Sequence, residues 1–217
     1  MLVRVICLII GYAFGLFQTG YIYGKRNGID IREHGSGNAG STNALRTLGK
    51  KAGAITLLGD CLKCVFAILT VYLLFGREHS DIMKLLQLYA GAGCVLGHNF
   101  PCYLNFHGGK GIAASVGLLL AFDMKLFVIC AIVFFAVFFT THYVSLCSLL
   151  AYTVFLISVL ILGQGGYYHM SQASLNEMYL VAALLTLLAF VRHRKNIVRL
   201  LHGEESKIIL SKIKEKK

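Results

Sequence analysis

Three polar segments in an otherwise apolar chain of 217 residues carry groups suited to holding phosphate. The first runs Gly35-Ser36-Gly37-Asn38-Ala39-Gly40-Ser41-Thr42-Asn43-Ala44-Leu45-Arg46. Its glycines let the backbone curl until successive N–H groups converge on an anion. Ser36, Ser41 and Thr42 add hydroxyl donors, and Arg46 adds a planar fork that fits a phosphate. The string GSGNAG matches a dinucleotide-binding pattern literally, but no parallel-strand signal precedes it and a membrane-length apolar segment follows. Read alone, the segment is equally a flexible polar loop.

The second segment runs from Gly97-His98-Asn99 to Gly108-Gly109-Lys110-Gly111 and leads into the helical run IAASVGLLL. Such a turn places N–H donors and one ammonium at the positive end of a helix dipole. It is not a Walker A loop, because Leu104 stands where glycine is required and Gly111 where Ser or Thr is required. His98 is a base or, as histidines at turns commonly are, a partner for the backbone. The third segment is His193-Arg194-Lys195-Asn196-Ile197-Val198-Arg199-Leu200-Leu201-His202-Gly203-Glu204-Glu205. At about 100° per residue, His193, Asn196, Ile197 and Leu200 share one helical stripe. Arg199 falls at its edge, where it serves the same ligand or a lipid headgroup, and Gly203 reads as a helix stop.

Two weaker signals lie inside apolar runs. Asp60 and Lys63 are three apart, so they meet on one helical face as an intramembrane charge pair, functional or structural. His142, Ser145 and Ser148 enter an apolar run from the side of the glycine loops, although a helical serine also satisfies its own backbone. No metal-ligand set accompanies these groups, so neither a metal nor a cofactor is expected. Cys61 and Cys64 form a lone CxxC in an apolar setting, and seven cysteines cannot all pair within one chain. The implied ligand is an anion larger, or more numerous, than one phosphate.

The elements that must position these groups are membrane helices. The chain is 57% apolar and 14% charged, with 21 Lys and Arg against 10 Asp and Glu. That excludes a disordered or collagen-like chain and an ordinary water-soluble globule. The surplus of positive charge on so apolar a chain points to membrane lipid and phosphate ligands, with no nucleic acid partner. Apolar runs fall near 2–23, 52–75, 85–97, 111–122, 124–141, 143–162 and 178–191. The first lacks a small-residue cleavage site and reads as a retained helix rather than a signal peptide. The expectation is an all-α polytopic membrane protein of about seven spans, forming one domain over 1–217 with a basic tail from about 203 to 217. Alternating the loops puts 16 Lys and Arg on the face of the glycine loops and tail, against Arg4, Arg77, Lys84 and Lys125 on the other. The positive-inside rule then places the N-terminus outside and the tail in the cytoplasm, with KIKEKK lying on anionic headgroups.

GSGNAGSTNALR, GHNFPCYLNFHGGKGIAASVG and HRKNIVRLLHGEE resemble, in order and spacing, the three signature motifs of the bacterial PlsY-type acyl-phosphate:glycerol-3-phosphate acyltransferases. The resemblance covers essentially the whole chain. It implies a multi-pass enzyme of the bacterial cytoplasmic (inner) membrane whose site faces the cytoplasm. The implied reaction moves a fatty acyl group from acyl phosphate to the 1-hydroxyl of glycerol 3-phosphate, releasing lysophosphatidate and inorganic phosphate in phospholipid synthesis. It implies no cofactor, and functional coupling to the enzyme that forms acyl phosphate. Carried onto this chain, the catalytic set is Ser36, Arg46, Lys110, His193 and Asn196. The substrate-binding set is Gly37, Asn38, Gly40, Ser41, Thr42, Gly108, Gly109, Ser145 and Glu204. The glycine loops with Ser36 and Thr42 take the donor phosphate; Arg46, Lys110, Ser145, His193 and Asn196 clamp glycerol 3-phosphate. The hydroxyl proton goes to His193 or to a substrate phosphate oxygen, and the acyl chain enters an apolar groove sideways from lipid. One departure is Cys64, where the family usually has glycine after the lysine. None of the eight histidines has Asp five positions later, which sets the chain apart from His-x4-Asp acyltransferases. Two other readings fit the residues alone: a small transporter or channel for an organic phosphate, since broken spans also line substrate paths, and a non-catalytic lipid-binding assembly factor.

Overall fold

A computed structural model describes residues 1–209. The lysine-rich end 212–217 lies outside the described residues. The helices are α1 Leu2–Gly15, α2 Thr19–Arg26, α3 Ser41–Leu48, α4 Lys50–Phe75, α5 Met83–Asn99, α6 Ile112–Phe122, α7 Met124–Thr141, α8 Val144–Gln164, α9 Gln172–Arg192 and α10 Arg194–Leu201. No strand occurs among the described residues. Five segments are long and apolar enough to cross a membrane: α1 with α2, α4, α7, α8 and α9. Large side chains such as Leu58, Phe66, Leu73, Phe139, Ile161 and Leu187 face outward. In water so broad an apolar surface would drive association, whereas hydrocarbon accepts it without cost.

Lipid supplies no hydrophobic drive between helices, so close packing must do that work. The α1–α5 crossing is built on glycine from both sides. A Cβ on Gly11 would lie 1.9 Å from the Ala90 carbonyl oxygen, and one on Gly93 would lie 2.1 Å from that of Leu8. One turn on, Gly15 and Gly97 repeat the arrangement against Cys94 and Tyr12.

The first apolar run, read from sequence as continuous over 2–23, is broken between Gly15 and Thr19. The carbonyls freed at the end of α1 need donors, because none come from lipid. Lys63 Nζ donates to the carbonyls of Gly15 (3.2 Å) and Phe17 (2.6 Å), and it pairs with Asp60 at 2.9 Å. Thr19 Oγ1 donates to the same carboxylate, and Gln18 bridges to the Gly97 and His98 carbonyls of α5. The Asp60–Lys63 pair thus clasps the break. Cys64, beside it, is fully buried in the main core. At the seventh run α9 starts at Gln172 rather than near 178, because the Ser171 hydroxyl caps it by accepting from the Ser174 amide.

Depth along the bundle follows from α4 and α6. A Cβ on Gly117 would touch the Cys61 carbonyl at 2.0 Å, so these two residues are level. Six residues earlier, Gly111 stands level with about residue 55, roughly 8 Å along α4 from its exposed lysines 50 and 51. Gly20 meets the Ala39 carbonyl and Thr56 in the same way, so the Ala39 end of the first glycine loop is recessed too, while Gly35, Ser36 and Gly37 are exposed. α6 itself has 11 residues, a rise of about 16 Å, half of a hydrocarbon core.

Candidate active site

The first loop is shaped by Asn43, a residue the sequence reading passed over. Its Oδ1 accepts from the Ser36 amide at 2.9 Å, while its Nδ2 donates to the carbonyls of Ile31 (3.0 Å) and His34 (2.9 Å). Gly35 is in the left-handed region at φ 60°, and a Cβ there would sit 2.3 Å from Asn43 Oδ1, so only glycine fits. Asn38 Oδ1 accepts from the Gly40 amide. Ser41 and Thr42 open α3, and Thr42 lies one turn before Arg46 on the same face.

The second loop folds back on the end of α5. The Gly108 and Gly109 amides donate to the carbonyls of Asn99 (3.2 Å) and His98 (3.0 Å). The His98 ring lies beneath Gly109, its Nδ1 2.9 Å from Lys63 Nζ. That places His98 in the clasp network rather than among the cations. From the other side Arg192, at the end of α9, donates to the Gly108 and Gly109 carbonyls. The loop therefore delivers Lys110 on a backbone held from two directions.

Lys110 Nζ donates to Asn196 Oδ1. Asn196 Nδ2 donates to Glu205 Oε1 at 2.8 Å, and Ser145 Oγ donates to the same oxygen at 3.1 Å. Arg199 Nε completes the carboxylate at 2.7 Å from Oε2, and Arg46 Nη2 reaches the Ser206 carbonyl at 3.0 Å. The segment carrying Glu205 is pinned beyond it by buried Ile208, whose amide donates to the His142 carbonyl at 2.9 Å. His193 is buried, with Nδ1 2.8 Å from the Ala189 carbonyl. An N–H there leaves the Nε2 lone pair as the free acceptor.

Electrostatics follows from this crowding. Burial lowers the Lys110 ammonium to about 8; nearby Arg199, Arg192 and Arg46 add to that while Glu205 opposes it. Burial and the Lys110 charge push His193 down to about 4, so the ring is neutral at pH 7. Burial alone would raise the Glu205 carboxyl, but hydrogen bonds from Asn196, Arg199 and Ser145 hold it below the ordinary carboxylate range. The result is a cationic cluster with one internal counter-charge, Glu205.

Of the residues expected from sequence, Arg46, Lys110, Ser145, His193 and Asn196 come together around Glu205. The loop bearing Ser36, Gly37, Asn38, Gly40, Ser41 and Thr42 adjoins through α3, without a direct hydrogen bond to the cluster among the described residues. Gly108 and Gly109 support Lys110. Glu204 is not brought into the cluster: its side chain is exposed, whereas Glu205 is buried there. After the left-handed Gly203 (φ 72°) the chain is no longer helical, so helical phase does not tell the two glutamates apart. Ser148 is buried and donates to the Val144 carbonyl of its own helix, with no hydrogen bond to the cluster among the described residues. Arg192 was missed because it closes an apolar run, where an arginine reads as an interfacial anchor.

Fold and site together define a polytopic helical membrane protein with Arg46, Lys110 and Arg199 clustered at one end of its bundle. The family model described as glycerol-3-phosphate acyltransferase matches residues 5–203. A glycerol-3-phosphate acyltransferase of Clostridioides difficile (strain 630) is 44% identical over 209 residues, covering 94% of this chain and 95% of that one. One of Bacillus subtilis (strain 168) is 41% identical over 204 residues, covering 93% and 95%. The crystal structure of PlsY, an integral membrane glycerol 3-phosphate acyltransferase in its glycerol 3-phosphate form, superposes with a TM-score of 0.80 at 32% identity, covering 95% of this chain and 96% of that one. The chain belongs to the glycerol-3-phosphate acyltransferase family and is an integral-membrane acyltransferase.

Proposed function

We propose that the protein transfers a fatty acyl group from acyl phosphate to the 1-hydroxyl of glycerol 3-phosphate, as a step of phospholipid synthesis. The observation that carries this reading is the convergence of Arg46, Lys110, Ser145, Asn196 and a neutral His193 around the Glu205–Ser206 segment. The related crystal structure in its glycerol 3-phosphate form supports the acceptor. A mixed carboxylic–phosphoric anhydride is already activated, so no protein nucleophile is required. The acceptor hydroxyl oxygen attacks the acyl carbonyl carbon, the bond from that carbon to the phosphate oxygen breaks, and phosphate departs with the electron pair. The hydroxyl proton ends on the departing phosphate.

Arg46, Lys110, Ser145 and Asn196 clamp the acceptor phosphate, while Ser36, Gly37, Asn38, Gly40, Ser41 and Thr42 cradle the donor phosphate. Gly108 and Gly109 position Lys110. His193 Nε2 accepts from the attacking hydroxyl and orients it. Holding two anions at reacting distance, with preset donors for charge on the acyl oxygen, supplies the rate. The chain acts as one domain over 1–217, with a basic tail from about 203. Counting α1 with α2 as one crossing, and α4, α5, α6, α7, α8 and α9 as six more, gives seven spans. Arg4, Lys84 and Lys125 then sit outside; the cluster and tail face the cytoplasm, in the bacterial inner membrane. There the enzyme draws acyl phosphate from the enzyme that forms it.

The test is phosphate release by detergent-purified protein given acyl phosphate, glycerol 3-phosphate, or both. Release that requires both, with lysophosphatidate as product, is the expected result. Movement of glycerol 3-phosphate across vesicles without a covalent product would instead establish transport and end the acyltransferase reading.

A further inference from the structure

We propose that Arg192 is the positioning residue that aims the Lys110 main-chain N–H, and with it the Lys110 ammonium, at the acceptor phosphate. The inference rests on the acyltransferase reading above. Arg192 makes no hydrogen bond to a side chain of the cluster among the described residues. Its Nη2 donates to the Gly109 carbonyl at 2.7 Å and to the Gly108 carbonyl at 3.1 Å, and its guanidinium lies over the Phe100 ring, 5.1 Å from the centroid. Phe100 belongs to the same loop, so the side chain holds that loop by charge and by stacking.

The consequence follows from peptide planarity. In a trans peptide the carbonyl and the N–H point to opposite sides, and the described residues contain no cis bond. Fixing the Gly109 carbonyl on Arg192 therefore turns the Lys110 N–H the other way. That amide has no hydrogen-bond partner among the described residues, whereas the Gly108 and Gly109 amides are spent on the end of α5. Glycine at 109 makes rotation of the next peptide cheap. Rotated, it would present a carbonyl oxygen to a phosphate and repel it. Arg192 blocks that rotation.

A second effect acts through charge. The groups facing Lys110 are Glu205 from the C-terminal segment, Arg199 from α10, Arg46 from α3, Arg192 from α9, and His193 between α9 and α10. Arg192 is one of three arginines that depress the Lys110 ammonium, so its removal lets the lysine keep its proton to higher pH.

The experiment measures steady-state phosphate release against glycerol 3-phosphate for wild type, Arg192→Gln and Arg192→Lys, repeated as pH is raised through 8 and beyond. In Arg192→Gln we expect KM for glycerol 3-phosphate to rise about tenfold, the equivalent of one charge-assisted hydrogen bond, with kcat nearly unchanged. The alkaline rise in KM should move to higher pH. Arg192→Lys keeps the charge without the fork, so its KM should fall between the two and its alkaline rise should stay in place. It also preserves the test if the glutamine variant does not accumulate. A wild-type KM in either variant, or a lysine variant with the glutamine variant's pH profile, overturns the proposal. A loss confined to the yield of folded protein, with wild-type KM, does so too. Failure of the wild type to release phosphate with both substrates present would sink the acyltransferase reading instead.

Discussion

Gly109 sets how rigidly Lys110 is delivered. A Cβ there would lie 2.0 Å from His98 Nε2 and within 2.9 Å of two ring carbons. Ordinary contact begins near 3.4 Å, so Gly109→Ala requires His98 and the loop to separate by about 1.4 Å (3.4 minus 2.0). His98 is buried with its other nitrogen against Lys63, which is itself fixed on Asp60 and two carbonyls of the α1–α2 break. The loop must move instead, and Lys110 moves with it. Displacing a substrate-positioning group by about 1 Å costs on the order of a hundredfold in rate, or about 2.7 kcal/mol. The expected result is a loss of about a hundredfold in kcat/KM for glycerol 3-phosphate, with monodisperse protein of near-wild-type Tm. The assay is phosphate release by purified enzyme, run beside size-exclusion chromatography and thermal unfolding. Activity within about threefold of wild type, far short of that cost, would refute the idea that His98 fixes the loop.

Titration of Lys110 gives another expectation. Its folded pKa of about 8 means that KM for glycerol 3-phosphate stays level below that pH and climbs as the proton is lost above it. Lys110→Arg should weaken binding at neutral pH yet remove the climb, since arginine does not titrate there. Ser145→Ala should raise KM about threefold to tenfold, one neutral hydrogen bond, whereas Ser148→Ala should leave it unchanged. Gly93→Ala drives a methyl into the Leu8 carbonyl, so thermal unfolding in detergent should show a lower Tm, from an overpacking cost of at least about 1–3 kcal/mol. Cys102 is exposed on the second loop while the other six cysteines are buried. A membrane-impermeant maleimide should therefore label it in permeabilised but not intact cells; labelling of intact cells would invert the proposed orientation.

Much of the architecture was legible because lipid enforces simple rules. Apolar runs near 52–75 and 124–141 became α4 and α7 almost to the residue, and Asp60 and Lys63 paired as their spacing required. The break after Gly15 was hidden, since the donors that make it tolerable sit on α4 and on Gln18, which reads as one polar residue in an apolar run. Within the site, Arg46, Lys110, Ser145, His193 and Asn196 were legible as polar residue types in three segments expected to meet, and the structure brings them together. The choice between Glu204 and Glu205 was not. It depends on the path the chain takes beyond Gly203, where buried Ile208 beside Phe138 and Cys147 decides which carboxylate turns inward. Arg192 shows a related limit, because bonds to main-chain carbonyls leave no trace in the pattern of side chains.

The shortness of α6 has a bearing on how two reactants of opposite solubility meet. Because the loop before it ends well beneath the lysines that open α4, the proposed acyl-phosphate donor would keep its tail in hydrocarbon and its charged head at the membrane surface without being drawn out into water. On the proposed reaction the small hydrophilic acceptor would make the journey instead, coming down past Arg46 toward Lys110 to the level of the donor's head. The product of that reaction would then start life at the depth of a membrane lipid, with its tail on the hydrocarbon side and its phosphate toward the water from which the acceptor came.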